Sequence, residues 1–268
     1  MRLFRARFNQ RQGTPDSELR PNPVRHYPSC ECLSPQYQND YLDEEDGQQQ
    51  ERVEWQELSL HSEVQDTGSD AWKSLEAYID KAYAEDSDEL NPLAGIGAEK
   101  WEQIVTLPAS IGRLHSAKVL SLYGSHLVRI PPEIGDMKNL EEFDPYTSRC
   151  LHWFPYEITR CKNLKRSRVS TRCLYGNYKY RPPFPRLPQN LTSLTPVACT
   201  VCHGPFSREG PHQVWVSLRV ATDVLPLLVH ACSSSCINNL PKPANGYLQM
   251  PHQGDLDVQQ PPSSFSIP

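Results

Sequence analysis

Apolar residues recur along the middle of the chain at intervals of 23 to 24 residues. Ile111, Ile134 and Ile158 begin three stretches, here called the first, second and third units, which align position by position. The aligned core positions are Leu114 with Met137 and Cys161, Ala117 with Leu140 and Leu164, Leu120 with Phe143 and Ser167, Leu122 with Pro145 and Val169, and Leu127 with Cys150 and Leu174. A fixed period of this length predicts short units that stack side by side, because one unit alone cannot bury its apolar face.

The units share a motif as well as a period. Their pattern L-x-x-L-x-x-L-x-L-x-x-N-x-L, with I-P-x-x-I-G at the junctions, resembles the leucine-rich repeat family. Within that family the chain is similar to small intracellular bacterial proteins that join a few repeats to a cysteine finger. The resemblance implies one short parallel strand per unit, stacked into an arc, and thus an α+β solenoid.

The chain departs from the family pattern at several positions. Ser125, Ser148 and Arg172 stand where the family has an asparagine that bonds the turn backbone. Pro145 is expected to remove a ladder donor from its strand, and Ser167 places a hydroxyl where leucine is usual. We therefore expect a short array that needs a cap at each end.

A helical pattern precedes the units. The stretch SDAWKSLEAYIDKAYA at 69–84 predicts a helix that Ser69 or Asp70 can cap. Its apolar residues fall on one stripe, as expected for a packing face: Ala71, Trp72, Leu75, Tyr78, Ile79, Ala82 and Tyr83. This helix is predicted to be the lid over the first unit.

The residues between the apolar strand positions should point outward on the inner curve of the arc. Adjacent strands lie about 4.8 Å apart, so we expect Glu142 beside Arg166, Asp144 beside Arg168 and two stacked tyrosines. We call this set the polar face and predict that it contacts a protein partner. Its members are Tyr123, Glu142, Asp144, Tyr146, Arg166 and Arg168.

Nucleic-acid binding is an alternative interpretation of the third unit. Basic and aromatic residues concentrate there, as is typical of nucleic-acid-binding surfaces, namely Arg160, Lys162, Lys165, Arg166, Arg168, Arg172, Tyr175, Tyr178 and Tyr180. If Arg166 and Arg168 pair with the acids of the previous strand, the basic patch shrinks. Protein binding is therefore favoured over phosphate binding.

Four cysteines follow the units in the spacing C-x2-C-x29-C-x3-C: Cys199, Cys202, Cys232 and Cys236. Two close pairs on separate turns match the ligand set of a closed, tetrahedral structural Zn²⁺ site. Disulfides would need an exported protein, a redox centre would need C-x-x-C at a helix start, and a catalytic zinc would keep an open position. His203, His212 and His230 lie close enough in sequence to replace a ligand.

The segment between the cysteine pairs predicts a β-hairpin from the runs QVWVSLRV and VLPLLVHA. Cys232 and Cys236 are expected on one helix face, at i and i+4, and Gly204 is expected to allow the backbone turn after the first pair. Knuckle, hairpin and helix make up the layout of a treble-clef finger, and ACSSSC resembles the helix start of the TRASH and MYM-type fingers. The resemblance implies a four-cysteine zinc-finger module over 191–242.

Composition divides the rest of the 268-residue chain, which has 25 prolines, a mean hydropathy of −0.60 and a net charge of −5. Residues 1–66, with a basic start, an acidic run and an isolated Cys30-x-Cys32, are predicted to be mostly disordered. The helical cap and the units occupy 67–190. Residues 243–268 are predicted to be a disordered tail or an extended strap.

No long apolar run predicts a membrane span, and the Arg-rich start lacks the apolar core of a secretory signal. An organellar transit peptide is the alternative to a basic tail. We expect a cytoplasmic protein with an unknown protein partner and no membrane contact. We also expect it to be noncatalytic, because the sequence contains no catalytic motif with the surrounding pattern that such a motif requires. A metal-responsive regulator is the further alternative.

Overall fold

The computed structural model describes residues 60–61, 63–169, 184, 186–187, 195–255 and 258–261. Over these ranges the chain is a mixed α/β structure with few helices, one four-stranded parallel sheet and one mixed three-stranded sheet. The described helices are all too short or too polar to cross a lipid bilayer.

Helix α1 spans Asp70–Ala84, which confirms the helix predicted before the units. The Ser69 hydroxyl caps it by accepting the Trp72 N–H at 3.2 Å. Four residues of the predicted stripe are buried, while Tyr83 is 49% exposed and lies under the guanidinium of Arg113. An ion pair of 2.8 Å between Arg113 and Asp80 joins α1 to the first unit. Two short helices follow, α2 (Pro92–Ile96) and α3 (Ala98–Trp101).

The parallel sheet has the order β1-β2-β3-β5, with strands Glu89–Leu90, Val119–Ser121, Glu142–Asp144 and Arg166–Ser167. Strands β2, β3 and β5 come from successive units, as the period predicts. Strand β1 lies outside the units and was not anticipated. Each unit also contributes a 3-10 helix, over Ala109–Arg113, Pro132–Asp136 and Tyr156–Arg160. Leu90, Leu120 and Phe143 stack in one buried column across the sheet.

Two serines at the family's asparagine position form a buried ladder between units. Ser125 and Ser148 are 0% and 1% exposed, and the Ser125 hydroxyl donates to the Ser148 oxygen at 2.7 Å. Ser148 in turn donates to the Leu122 carbonyl at 3.0 Å and accepts the Ser125 N–H at 3.2 Å. The expected weakness at these positions is therefore compensated, because the two hydroxyls together satisfy the turn backbone.

We expect Ser148→Ala to lower the free energy of unfolding by about 1–3 kcal/mol, because it removes the shared acceptor and leaves buried donors unpaired. Urea denaturation of the purified protein measures this loss. Ser121→Ala is the matched control, since Ser121 is only half-buried on β2, and its cost should stay within about 0.5 kcal/mol. Equal losses in the two variants would contradict the role assigned to the ladder.

The second sheet has the order β4-β7-β6. Strands β6 (His212–Val220) and β7 (Asp223–Ala231) form the antiparallel hairpin that the two apolar runs predict. Strand β4 (Phe154–Pro155) belongs to the second unit and pairs in parallel with β7, at Phe154 with Leu227. Residues of the units and of the hairpin share one buried core, so the cysteine module is continuous with the repeats.

At Ser167 the third unit forms a polar junction with this hairpin. The Ser167 N–H donates to the Thr222 hydroxyl oxygen at 3.0 Å, and the Thr222 hydroxyl donates to the Ser167 carbonyl at 2.7 Å. The Ser167 hydroxyl donates to the Asp223 carboxylate at 2.7 Å. Ser167 thus stands in place of a leucine where the hairpin turn at Thr222 and Asp223 bonds its hydroxyl and its backbone. Pro145 lies just beyond β3, so the predicted loss of a ladder bond does not occur.

Two extended segments lie across this framework. In the segment predicted as a disordered tail or a strap, His252 exchanges backbone hydrogen bonds of 2.7 and 3.1 Å with Trp215 of β6, and the Ala244 N–H donates to Ser217 at 2.8 Å. At the other end, Gln65 accepts the Val105 N–H at 2.8 Å, and the carbonyl of Glu63 accepts a bond from Arg129. The described parts of both segments therefore pack against the folded core.

Candidate metal centre and polar face

The first cysteine pair lies in a tight turn after residue 195. Cys199 donates its N–H to the Gly204 carbonyl and accepts the His203 N–H at its own carbonyl, both at 2.9 Å. The predicted turn is present, but the residue with left-handed backbone is His203 (φ 62°) and not Gly204. Cys199 is 1% exposed, whereas Cys202 is exposed at the surface.

The second pair is placed by the end of β7. Cys232 directly follows the strand, Ser233 caps helix α4 (Ser234–Asn238), and Cys236 lies within that helix. The Ser233 hydroxyl accepts the Cys236 N–H at 3.3 Å. The expectation that both cysteines lie on the helix is wrong, since Cys232 precedes it. The two sulfurs nevertheless approach to 3.6 Å, because the capped turn folds back on the strand end.

The four sulfurs converge on one point. All of them lie within 4.8 Å of one another, with 3.5 Å between Cys202 and Cys232. A metal ion bound to four thiolates at about 2.3 Å in a tetrahedron requires sulfur separations of about 3.8 Å. Cys199, Cys202, Cys232 and Cys236 therefore form a site that can hold a metal ion, and the four thiols leave no open coordination position.

Backbone donors prepare this site for negative charge. The N–H groups of Cys202 and Cys232 point at the Cys199 sulfur at 3.5 and 3.3 Å, and the Gly204 N–H points at the Cys202 sulfur at 3.4 Å. Burial opposes ionisation of Cys199, but these N–H donors outweigh it and lower the pKa of Cys199 to about 6.

The thiols of Cys232 and Cys236 ionise less readily than that of Cys199. A hydrogen bond from Ser233 favours the Cys236 thiolate, but the neighbouring sulfurs of Cys202 and Cys232 outweigh it and raise the pKa of Cys236 to about 12. Hydrogen bonding with Cys202 likewise raises the pKa of Cys232. Four thiolates in this space therefore require a cation among them.

The three histidines considered as ligands lie outside the cluster. His230 is 4% exposed on β7, where burial lowers its pKa to about 4, and its Nε2 has no hydrogen-bond partner among the described residues. His212 is exposed at the start of β6. His203 lies 3.3 Å from Arg160, which also donates to the Thr200 carbonyl at 3.0 Å. Arg160 thus links the third unit to the cysteine turn.

On the polar face the predicted neighbours are present. Arg166 forms an ion pair with Glu142, and Arg168 contacts the Asp144 carboxylate through two nitrogens, with Nε at 3.1 Å. The rings of Tyr123 and Tyr146 lie 6.0 Å apart. The strand register places Glu142 opposite Arg166, and both predicted ion pairs are confirmed. The two tyrosines are neighbours as predicted, but their rings are tilted by 40° and are not stacked.

One further ion pair between the second and third units was not predicted. Lys165 bonds Glu141 at 2.7 Å and lowers the pKa of that carboxyl by its hydrogen bond and its charge. The alignment of the second and third units already places Glu141 opposite Lys165, one position before Glu142 and Arg166. Three basic residues of the third unit are therefore paired with three acids of the second.

No protein-family model and no curated protein matches the chain, so its chemistry is inferred from these residues alone. Part of the sequence hypotheses lies outside the described residues. This holds for the Cys30-x-Cys32 motif and for the end of the third unit, with Arg172, Tyr175, Tyr178 and Tyr180.

Proposed function

We propose that the chain is a noncatalytic protein-interaction scaffold of the leucine-rich repeat type, closed at its C-terminal side by a structural Zn²⁺ bound to four cysteines. The observation that carries the proposal is the convergence of four thiols into a closed cluster. A complete set of protein ligands leaves no position for substrate or water, which argues for a structural and not a catalytic metal.

Zinc is the proposed metal for this ligand set. Soft thiolates in a tetrahedral arrangement favour zinc or iron over magnesium or calcium, which prefer oxygen ligands. The backbone N–H groups aimed at Cys199 and Cys202 stabilise thiolate charge on the metal. A reducing compartment such as the cytoplasm would keep these cysteines available as ligands.

The repeat-type solenoid is supported by how the units stack. Each unit contributes one short parallel strand and one 3-10 helix, and the strands of successive units pair in register. The serine ladder replaces the asparagine ladder of the leucine-rich repeat pattern. A short arc of this kind presents a rigid face of outward side chains, which is how such arrays bind partners.

The polar face is the proposed contact surface. It carries two tyrosines and two arginines, residue types that dominate binding energy in protein interfaces. The basic residues Lys165, Arg166 and Arg168 are each paired with an acid, so in the described part of the third unit the positive charge outside these ion pairs is that of Arg160 and Lys162. Nucleic-acid binding, the alternative use of the third unit, is thereby disfavoured.

A comparative capture experiment tests the scaffold function. Tyr146 is 41% exposed on the polar face, and Tyr83 is 49% exposed on α1, away from it. We expect the parent protein and Tyr83→Ser to capture the same partner in similar amounts. Tyr146→Ser should lower the amount captured at least about tenfold, the usual loss for a central interface tyrosine. Quantitative mass spectrometry of the cross-linked proteins measures the ratio. A set of captured proteins that Tyr146→Ser leaves unchanged would contradict the proposed surface.

A further inference from the structure

A cation site with two aromatic walls lies at the end of the polar face. The Tyr123 and Tyr146 rings lie 6.0 Å apart at an angle of 40°. The backbone fixes both walls, since the Gly124 N–H donates to the Tyr146 carbonyl at 2.9 Å. The Asp144 carboxylate lies beside them and accepts the Tyr146 N–H at 3.1 Å. We call Tyr123, Tyr146 and Asp144 the clamp.

The clamp already holds a guanidinium group of the chain itself. The central carbon of the Arg168 guanidinium lies 5.2 Å from the Tyr146 ring centre and 5.8 Å from that of Tyr123. Its Nε lies 3.1 Å from one oxygen of Asp144, and a second nitrogen contacts the other oxygen. Aromatic faces within about 6 Å and a carboxylate bound by two nitrogens are the elements that recognise arginine.

The Arg168 side chain is more exposed than the carboxylate that binds it. Its side chain is 59% exposed, whereas that of Asp144 is 24% exposed. The residue directly follows β5, the last described strand of its sheet. An exposed ion pair of this kind weakens the binding of a competing cation by about fivefold, because solvent screens the pair and the long side chain loses entropy when fixed.

We propose that the clamp is a recognition site for an arginine side chain of the protein partner, and that Arg168 occupies it until the partner binds. This inference rests on the proposed scaffold function, to which it adds the chemistry of the partner. An arginine is favoured over a lysine, because only the planar guanidinium bonds both carboxylate oxygens while its face stacks on a ring. An anionic partner is disfavoured, because the carboxylate of Asp144 lies at the centre of the site.

The exchange conserves the contacts inside the clamp. One guanidinium leaves as another enters, so the net affinity of the partner comes from the residues that flank its arginine. Removal of Arg168 should therefore raise the affinity of the clamp for a free guanidinium compound, by about three- to fivefold. The same removal should have no effect on a compound that the clamp does not bind.

The experiment uses purified full-length protein and N-acetyl-arginine methylamide as the probe, with N-acetyl-citrulline methylamide and N-acetyl-lysine methylamide as controls. Titrations follow the ring signals of Tyr123 and Tyr146 by ¹H–¹³C NMR in the parent, in Arg168→Gln and in the double variant Arg168→Gln with Asp144→Asn. Glutamine keeps much of the length of the side chain and removes the charge.

We expect saturable shifts of both tyrosines with the arginine probe, at an affinity about three- to fivefold higher in Arg168→Gln than in the parent. The citrulline probe should cause no shift, the lysine probe should bind more weakly, and the double variant should lose the arginine response. Equal response to citrulline or lysine, retained binding in the double variant, or no shift in Arg168→Gln would each overturn the proposal. Since no partner takes part, the outcome is independent of the capture experiment.

Discussion

A Cys232→Ser protein is expected to lose both the proposed metal and the folded structure of the cysteine turn and the β6–β7 hairpin. The parent should hold about one zinc ion per chain, and the variant none. The Cys232 sulfur lies 3.5 Å from the Cys202 sulfur and 3.6 Å from the Cys236 sulfur. The substitution therefore removes a ligand that neighbours two of the other three. In isolated zinc-finger peptides the metal contributes about 10 kcal/mol or more to folding. Cys199 and Cys236 belong to the same buried core as Val214 and Val229, so we expect the β6–β7 hairpin to unfold as well.

Elemental analysis of the purified proteins measures the metal, and amide hydrogen exchange over 195–240 measures the unfolding. Cys161→Ser is the matched control: this buried cysteine lies outside the cluster, and serine can keep its bond of 3.1 Å to the Ile134 carbonyl. The control should retain the metal. A folded parent without metal would sink the zinc proposal. Zinc that a mild chelator removes without unfolding would favour the metal-responsive regulator instead.

Gly135→Ala is expected to cost about 2–3 kcal/mol of stability, the upper range for an overpacked core. A Cβ atom at this position would lie 2.6 Å from the Glu157 carbonyl oxygen, which is backbone and cannot rotate away. The glycine lies in the second 3-10 helix, and the clash would push that helix away from the third. Thermal or urea denaturation measures the loss.

Gly112→Ala is the control from the equivalent position of the first unit. Its Cβ would lie 3.1 Å from Glu133, so the neighbour need move only a few tenths of an ångström. The lower entropy of the unfolded alanine chain should offset that strain by about 0.4–1 kcal/mol. We therefore expect this variant to stay close to the parent. Equal destabilisation of the two variants would show that close approach of the 3-10 helices is not what requires the second glycine.

These glycines explain the I-G phrase that marks the junctions in the sequence. Glycine stands where the 3-10 helix of a following unit packs closely against the backbone. In the third unit the equivalent residue is Thr159, whose hydroxyl donates to the Tyr156 carbonyl at 2.8 Å. Besides the second 3-10 helix, the third 3-10 helix contacts the hairpin strand β7, and no fourth 3-10 helix occurs among the described residues. A threonine is accommodated there because no further unit presses against it in the described part of the chain.

Features with a local signature could be predicted from the sequence. The cap and stripe of α1, the hairpin and the cysteine pairs each follow from residues a few positions apart. The ion pairs of Glu142 and Asp144 follow from one alignment, because adjacent units place equivalent residues side by side. The cysteine cluster was predictable because two short spacings already impose most of its geometry.

The features that could not be predicted depend on distant partners. The Ser167 hydroxyl bonds Asp223, 56 residues away, and nothing near Ser167 in the sequence indicates that contact. Strand β4 has only two residues, too few for a periodic pattern, and is defined by its pairing with β7. The serine ladder was misjudged, because each serine taken alone is a poor substitute for asparagine, while two of them in adjacent units bond each other.

The junction at Ser167 has a consequence for self-association. The outer edge of a sheet is a template on which strands of other molecules can add, and natural proteins cover or interrupt it. Thr222 occupies the hydrogen-bonding groups of Ser167 at the β5 edge, and the segment around His252 pairs with β6. Both covers depend on the β6–β7 hairpin, which Cys232 directly follows: Thr222 lies in its turn, and His252 pairs with β6. Metal loss would therefore uncover two strand edges at once and make the protein prone to aggregate.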